Sequence, residues 1–326
     1  MYKIKLHPFY LLSLIFTLSN PGFSQDVNPE SKENYLDSAK RWKQGGILTL
    51  NGQQVSLTNW FAGGQNSISG AVLANWFLDY KKGNTSWENN IELAYGIVKQ
   101  GDNKQWWKND DRIQFTSKIG QLAFNNWHYS CLIDFKSQFS PGYNYPNDST
   151  LISDFLAPAF GLISLGMDYK PSENFSFYLA PASLRFTIVS NQVLADQGAF
   201  GVTRAIKQLD TLNNLITIKN GKRSREEIGG YFKLMYRRVV MENVDFSTTI
   251  ELFSNYIDNP GNIDVNWTTL TTMKVNKYIS ANFSTHLIYD DDIKISEDKD
   301  QDGILDFNGP RIQFKQVLGV GLNFKF

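Results

Sequence analysis

The residues of this chain best suited to chemistry are Asp298-Lys299-Asp300-Gln301-Asp302-Gly303-Ile304-Leu305-Asp306. Three carboxylates at alternate positions, then glycine, form the front half of an EF-hand-like calcium loop. There, hard oxygen ligands wrap one cation and glycine permits the sharp turn. Asp306 falls at the ninth position, which often ligates through water. The twelfth position, where a bidentate Glu belongs, is Gly309, so a full EF-hand is absent. Asp290, Asp291, Asp292 and Glu297 are the acidic residues available to complete a shell. The expectation is a Ca2+ ion held by Asp298, Asp300, Asp302 and Asp306, ordering a loop rather than catalysing. Such an ion can also bridge to lipopolysaccharide phosphates. The competing reading is a solvated acidic loop.

A second group is aromatic. Trp60, Phe61, Trp106, Trp107, Tyr143 and Tyr145 fall in loops or at strand ends, and Asn59, Gly63 and Gly64 accompany the first two. These rings can stack on a sugar or an aromatic ligand, but their commoner use is an interfacial girdle. Gly63-Gly64 is no phosphate cradle, because no Lys-Ser or Lys-Thr follows and no helix opens. Histidine offers little more. His128 and His286 fall on the polar parity of their strands, and no Ser/His/acid set is assembled by sequence alone. Catalytic residues are therefore expected to be none. A barrel hydrolase would require a Ser or Asp within reach of one of these histidines.

The elements that must position these groups are strands. In Arg311–Phe326 (RIQFKQVLGVGLNFKF), every even position except Gln316 is apolar, and among the odd positions only Val317 is large and apolar. Successive strand side chains point to opposite faces, so this is a strand with one apolar and one polar face. It is longer than the usual 5–6 residues of soluble strands and long enough to cross a bilayer, for which about 9–11 suffice. Its terminal Phe resembles the signal read by the outer-membrane barrel-assembly machinery.

Composition agrees. Lys3 and Lys5, the apolar run Phe9–Leu18 and the small-x-small site Gly22-Phe23-Ser24 describe a cleaved signal peptide over 1–24. A flexible periplasmic leader is expected over 25–44 and a single barrel over 45–326. Elsewhere, charged and polar residues interrupt every apolar run before it could span a membrane as a helix. The lone Cys131 rules out an intramolecular disulfide framework despite export. Thirty-two basic and 32 acidic residues cancel, which gives no reason to expect nucleic-acid binding.

Twelve strands are expected, the first at about 46–57, the eighth at about 228–236 and the last at 311–326. The apolar parity slips around Pro181, where a β-bulge is expected. Leu132 breaks the parity of its strand. Short turns (81–84, 124–126, 171–174, 238–242, 276–277) alternate with connections that are mostly long (59–66, 99–111, 140–156, 190–227, 290–310), only 257–262 being short. That alternation is the layout of outer-membrane barrels. Val202, Ile206, Leu209 and Leu212 recur at helical spacing, predicting a short helix in a loop long enough to plug the lumen.

Several stretches resemble one family of exported Bacteroidetes proteins, catalogued as domain of unknown function 3078. They are Asn59-Trp60-Phe61-Ala62-Gly63-Gly64, Asn66-Ser67-Ile68-Ser69, Gly198-Ala199-Phe200-Gly201, and the ending from Gln313-Phe314-Lys315 to Gly319-Val320-Gly321. The resemblance implies an outer-membrane β-barrel and supplies no activity. The sequence as a whole is read as an all-β, antiparallel transmembrane barrel in contact with outer-membrane lipid and lipopolysaccharide. A porin-like passage for a small solute is expected; the alternative is a non-conducting structural or assembly component of an envelope complex.

Overall fold

The computed structural model describes residues 41–56, 65–101, 105–145, 148–210, 214–297 and 307–326. The barrel strands are β1 (Trp42–Val55), β2 (Ser67–Lys82), β3 (Thr85–Gln100), β4 (Trp107–Phe124), β5 (Trp127–Ser137) and β6 (Ala159–Ser172). They continue with β7 (Phe175–Ile188), β8 (Ser224–Met241), β9 (Val244–Asn255), β10 (Ile263–Lys274), β11 (Ile279–Tyr289) and β12 (Gln313–Lys325). Each pairs antiparallel with its sequence neighbour, and β1 pairs with β12, so the sheet closes on itself. Closure pairs both edge strands of the sheet over most of their length.

Alternation along the strands sorts side chains between two surfaces. In register, Trp76, Ile91, Phe115 and Phe135 run side by side around the outside. One residue away, Asn90, Thr116 and Asp134 run side by side inside. The outer surface is apolar and uncovered by protein: Val72, Ile119, Ile133, Leu165, Leu318 and Val320 are all more than two-fifths exposed. An apolar band of this extent around a barrel of 11- to 18-residue strands is a lipid-facing surface. Polar groups within it find protein partners, as lipid demands. Trp87 Nε1–H donates to Ser117 Oγ at 2.9 Å, and Trp267 Nε1–H donates to Thr248 Oγ1 at 2.9 Å. Rings gather at the turn edge, where Trp42 meets Tyr80 at 4.8 Å and Trp127 meets Tyr169 at 5.0 Å.

The short turns lie at one end. Gly83, Asn125 and Asn243 take positive φ there, a conformation that Gly and Asn adopt readily. The bulge falls where the parity slips: pairing of β7 with β6 and β8 shifts across Ala180–Ala182. Tyr256 O–H donates to the Pro181 carbonyl at 3.0 Å.

Three expectations are corrected. β1 begins at Trp42, inside the stretch read as a leader, and β8 continues to Met241. The loop helix is α1 (Gln192–Gln197), started by Asn191, whose Oδ1 accepts from Val193 N, and ended by Gly198 at φ 74°. Val202 is extended, and Ile206–Leu209 is a strand paired with Leu215–Lys219. The apolar spacing there is shared by exposed hairpin residues and does not mark a buried helical face. Leu212 lies outside the described residues. Two more short hairpins sit in the loops: Gly142–Tyr143 with Leu151–Ser153, and Lys294–Glu297 with Phe307–Pro310.

Candidate functional site

The inward side chains fill one half of the barrel and leave the other open. On β5–β9, Leu132, Leu162, Tyr178, Ala180, Tyr231 and Phe253 form a buried apolar cluster inside the wall. Leu132, the residue out of parity, is thus a core residue of the lumen. Tyr178 O–H lies 3.1 Å from Ser164 Oγ and 3.0 Å from the Ser164 carbonyl, giving the buried hydroxyl its partners.

Ion pairs knit the same half together. Glu251 on β9 takes Lys136 of β5 at 2.6 Å and Lys233 of β8 at 2.9 Å. The Lys136–Glu251 contact skips β6, β7 and β8 and therefore crosses lumen space. Arg185 of β7 grips Glu227 through two nitrogens at 2.7 and 2.9 Å, reaches Asp264 at 2.5 Å and lies 4.1 Å over the Phe253 ring. Lys118 holds Asp168 at 2.7 Å and Glu88 at 3.5 Å, and Lys170 pairs with both carboxylates. Charges brought out of water require this degree of pairing.

The other half is β10, β11, β12, β1 and β2. Most of its inward residues at mid-height are short and neutral (Thr49, Asn51, Ser69, Ala71, Asn266, Thr268, Asn282, Ser284, Gly319 and Gly321), while His286 and Lys315 stand in register with Thr268. Leu73, Leu270, Ile288 and Val317 also point inward, and Leu270 and Val317 are each 42% exposed, so solvent reaches the lumen beside them. A neutral network lines the turn end: Thr49 Oγ1–H donates to Asn323 Oδ1 at 2.7 Å, and Asn323 Nδ2–H donates to Ser280 Oγ at 2.5 Å. Lys315 of β12 meets Asp110 of β4 at 3.0 Å, near the loop end.

The loops cap the packed half. α1 seats Leu194 and Ala195 against Ala157, Val189 and Val202. Phe200 meets Phe160, at the loop end of β6, edge-on with ring centres 6.5 Å apart. Asp196, whose carboxylate accepts from Gln192 Nε2 and from Gly221 N, both at 2.7 Å, is held below the usual carboxylate range by those bonds. Beside this cap, Asp264, Asp290 and Asp292 bring carboxylate oxygens within 4.8 Å of one another. Arg185 and Arg225 already serve two of them: Asp264 pairs with Arg185 and Asp292 with Arg225, each at 2.5 Å. Burial, then the neighbouring Asp264, push Asp290 up to about 6.

The sequence-picked groups fare unevenly. Asp298, Asp300, Asp302 and Asp306, with Asn59, Trp60, Gly63 and Gly64, lie outside the described residues; the acidic stretch joins the paired strands Lys294–Glu297 and Phe307–Pro310. Trp106 is exposed, and Trp107 heads β4 and stacks on Tyr145 at 5.3 Å. Both histidines point inward as their parity requires. His286 pairs with Asn266 at 2.7 Å. His128 stands opposite Asp168, with Ser130 two residues on, so nucleophile, base and acid types are adjacent. They form no relay: His128 Nδ1, Ser130 Oγ and Asp168 Oδ1 each lack a hydrogen-bond partner among the described residues. Sequence reading missed Asp168, Lys170, Arg185 and Glu227. Strand parity places the first two inward; the bulge at Pro181 hides Arg185 and, through its partner strand, Glu227.

Fold and lumen define a membrane-spanning antiparallel β-barrel with a polar interior. Residues 53–143 match the family described as "Protein of unknown function (DUF3078)". That bears out the family resemblance over a stretch containing the Asn59–Gly64 and Asn66–Ser69 segments; the 198–201 and 313–321 segments lie beyond it. No curated protein matches the chain. Among solved structures, the chain is similar to an outer membrane channel from Pseudomonas putida F1, with 10% identity, TM-score 0.38, and 87% of this chain and 95% of that one covered. It is also similar to the NanC porin, at 8% identity and TM-score 0.34, covering 85% of this chain and 98% of that one. The translocator domain of the autotransporter NalP from Neisseria meningitidis gives 9% identity and TM-score 0.32, with 90% and 95% covered.

Proposed function

We propose that this chain is an outer-membrane barrel through which a small solute passes. The observation that carries the reading is the half-open lumen: Leu270 and Val317 point inward yet are 42% exposed. In this reading residues 1–24 are a signal peptide, 25–41 a periplasmic leader, and the short turns face the periplasm with lipopolysaccharide around the loop end. The barrel-assembly machinery would insert it. Ca2+ at Asp298, Asp300, Asp302 and Asp306 would order the 290–310 loop, and Asn59, Trp60, Gly63, Gly64, Trp106 and Trp107 would contact solute at the mouth. The chain performs no catalysis in this scheme.

The test is single-channel conductance of the refolded barrel in a planar bilayer, with calcium and then with chelator. Discrete steps are expected, and their change on chelation would tie the acidic loop to gating. A second reading, a non-conducting component of an envelope complex, is favoured by the Lys136–Glu251 pair across the lumen and by the cap over β6. Silence from demonstrably folded barrel in both conditions decides for it.

A further inference from the structure

Resting on that reading, we infer that the passage runs along the β10–β11–β12–β1–β2 wall and admits small uncharged, hydrogen-bonding solutes in preference to ions. Charge is segregated in this lumen. The acid-base networks centred on Glu251, Glu227 and Asp168 lie mainly on β3–β9 and are internally paired, and they reach the open wall at Asp264 of β10, which Arg185 holds. The open wall presents amides, hydroxyls and the backbone of Gly319, with Leu270 and Val317 among them. Its cation toward the loop end, Lys315, is met by Asp110 at 3.0 Å and by the Asn109 carbonyl at 3.4 Å. Arg112 of β4 and Glu92 of β3 also point inward, with opposite signs.

An ion leaving water needs compensating charge or a ring of oriented dipoles, and strong ion selectivity needs an excess of one sign. This wall has neither. A neutral solute with several hydroxyls can trade its water for Asn, Ser and Thr groups step by step, and the exposed Leu270 and Val317 suit its carbon face.

Gly319 permits a direct test of the route. A Cβ built there meets only the Asn51 side chain, at 3.7 Å, an ordinary van der Waals contact. Gly52, on the lipid-facing parity of β1, also has room, with nothing within 4 Å, and serves as control. In liposomes bearing the heat-modifiable, folded barrel, glucose should enter at least about three-fold faster than gluconate or glucosamine of similar size, since no single-sign field favours either ion. Gly319→Phe should abolish most glucose entry while Gly52→Phe leaves it unchanged. Gly319→Asp should raise the K+/Cl− permeability ratio by about three-fold or more, because one fixed charge beside the path sets its sign. If Gly319→Phe fails to fold, Gly319→Cys modified by a bulky thiol reagent after folding replaces it. Equal entry of all three solutes through a conducting barrel overturns the inference alone, as does glucose entry indifferent to Gly319. Absence of all entry and conductance overturns the passage reading beneath it.

Discussion

The two halves of this lumen are built from the same strand alternation and differ in what they do with the inward positions. On β5–β9 the inward residues are long and complementary, so they meet over Glu251 and Arg185 and exclude water. On β10–β12, β1 and β2 most of them are short, so they hydrogen-bond along the wall and leave space. A barrel of fixed strand number thus packs one arc and leaves the other open. Inward-facing side chains, not the backbone, decide how much of a barrel conducts.

Substitutions that treat the halves alike should have unlike effects. Glu251→Gln leaves Lys136 and Lys233 buried without their shared counterion and should cost about 3–5 kcal/mol, read as a lowered urea midpoint of the lipid-refolded barrel. Ser284→Ala, on the open wall, should stay within about 0.5 kcal/mol in the same assay. Equal losses would erase the distinction between the arcs. Leu132→Ala removes a side chain that is 2% exposed and should cost about 2–4 kcal/mol, against less than about 1 kcal/mol for the half-exposed Leu270→Ala.

At the cap, the comparison becomes one of pH. Asp290 in the fold holds its proton up to about pH 6, above its ordinary value, against Asp264 and Asp292 and beside Arg185. The folded state therefore binds a proton that the opened loop releases. Cap stability should rise as pH falls through about 6 and be lower at neutral pH. Hydrogen exchange of Asp291–Ile293, corrected for its intrinsic pH dependence, should be slower at about pH 5 than at about pH 7.5; the reverse order would mean that a bound cation keeps Asp290 ionised. The smallest effect is expected at Lys315→Ala, where the side chain is 47% exposed and its pair with Asp110 contributes about 0–1 kcal/mol.

Much of the fold was legible because a barrel strand writes its two faces directly into alternate residues. The ending at Gln313–Lys325, the turns at Gly83 and Asn125 and the slip at Pro181 all stand where parity put them. Leu132 looked like an error and proved to be the lumen core, because only one arc of the polar face meets water. The ion-pair hubs were not legible. Alternation gives a residue's face but not its height or its partner around the circle, so the Lys136–Glu251 contact, 115 positions apart in sequence, had no local signal. The loop hairpins were missed for the opposite reason: two to five residues are too few to establish a period.

The ladder that closes the barrel is unlike the others. β1 is joined to the last strand and its end from Gly46–Phe326 to Gly52↔Val320, whereas its ladder with β2 continues to Val55↔Ser67. Gln53, Gln54 and Val55 of β1 therefore stand beside β12 without being joined to it. Mechanically, the tube is a rolled sheet stitched along part of its overlap. The unstitched length lies at the loop end, along the wall that carries the proposed path, so a widening there need break no hydrogen bond of the packed arc.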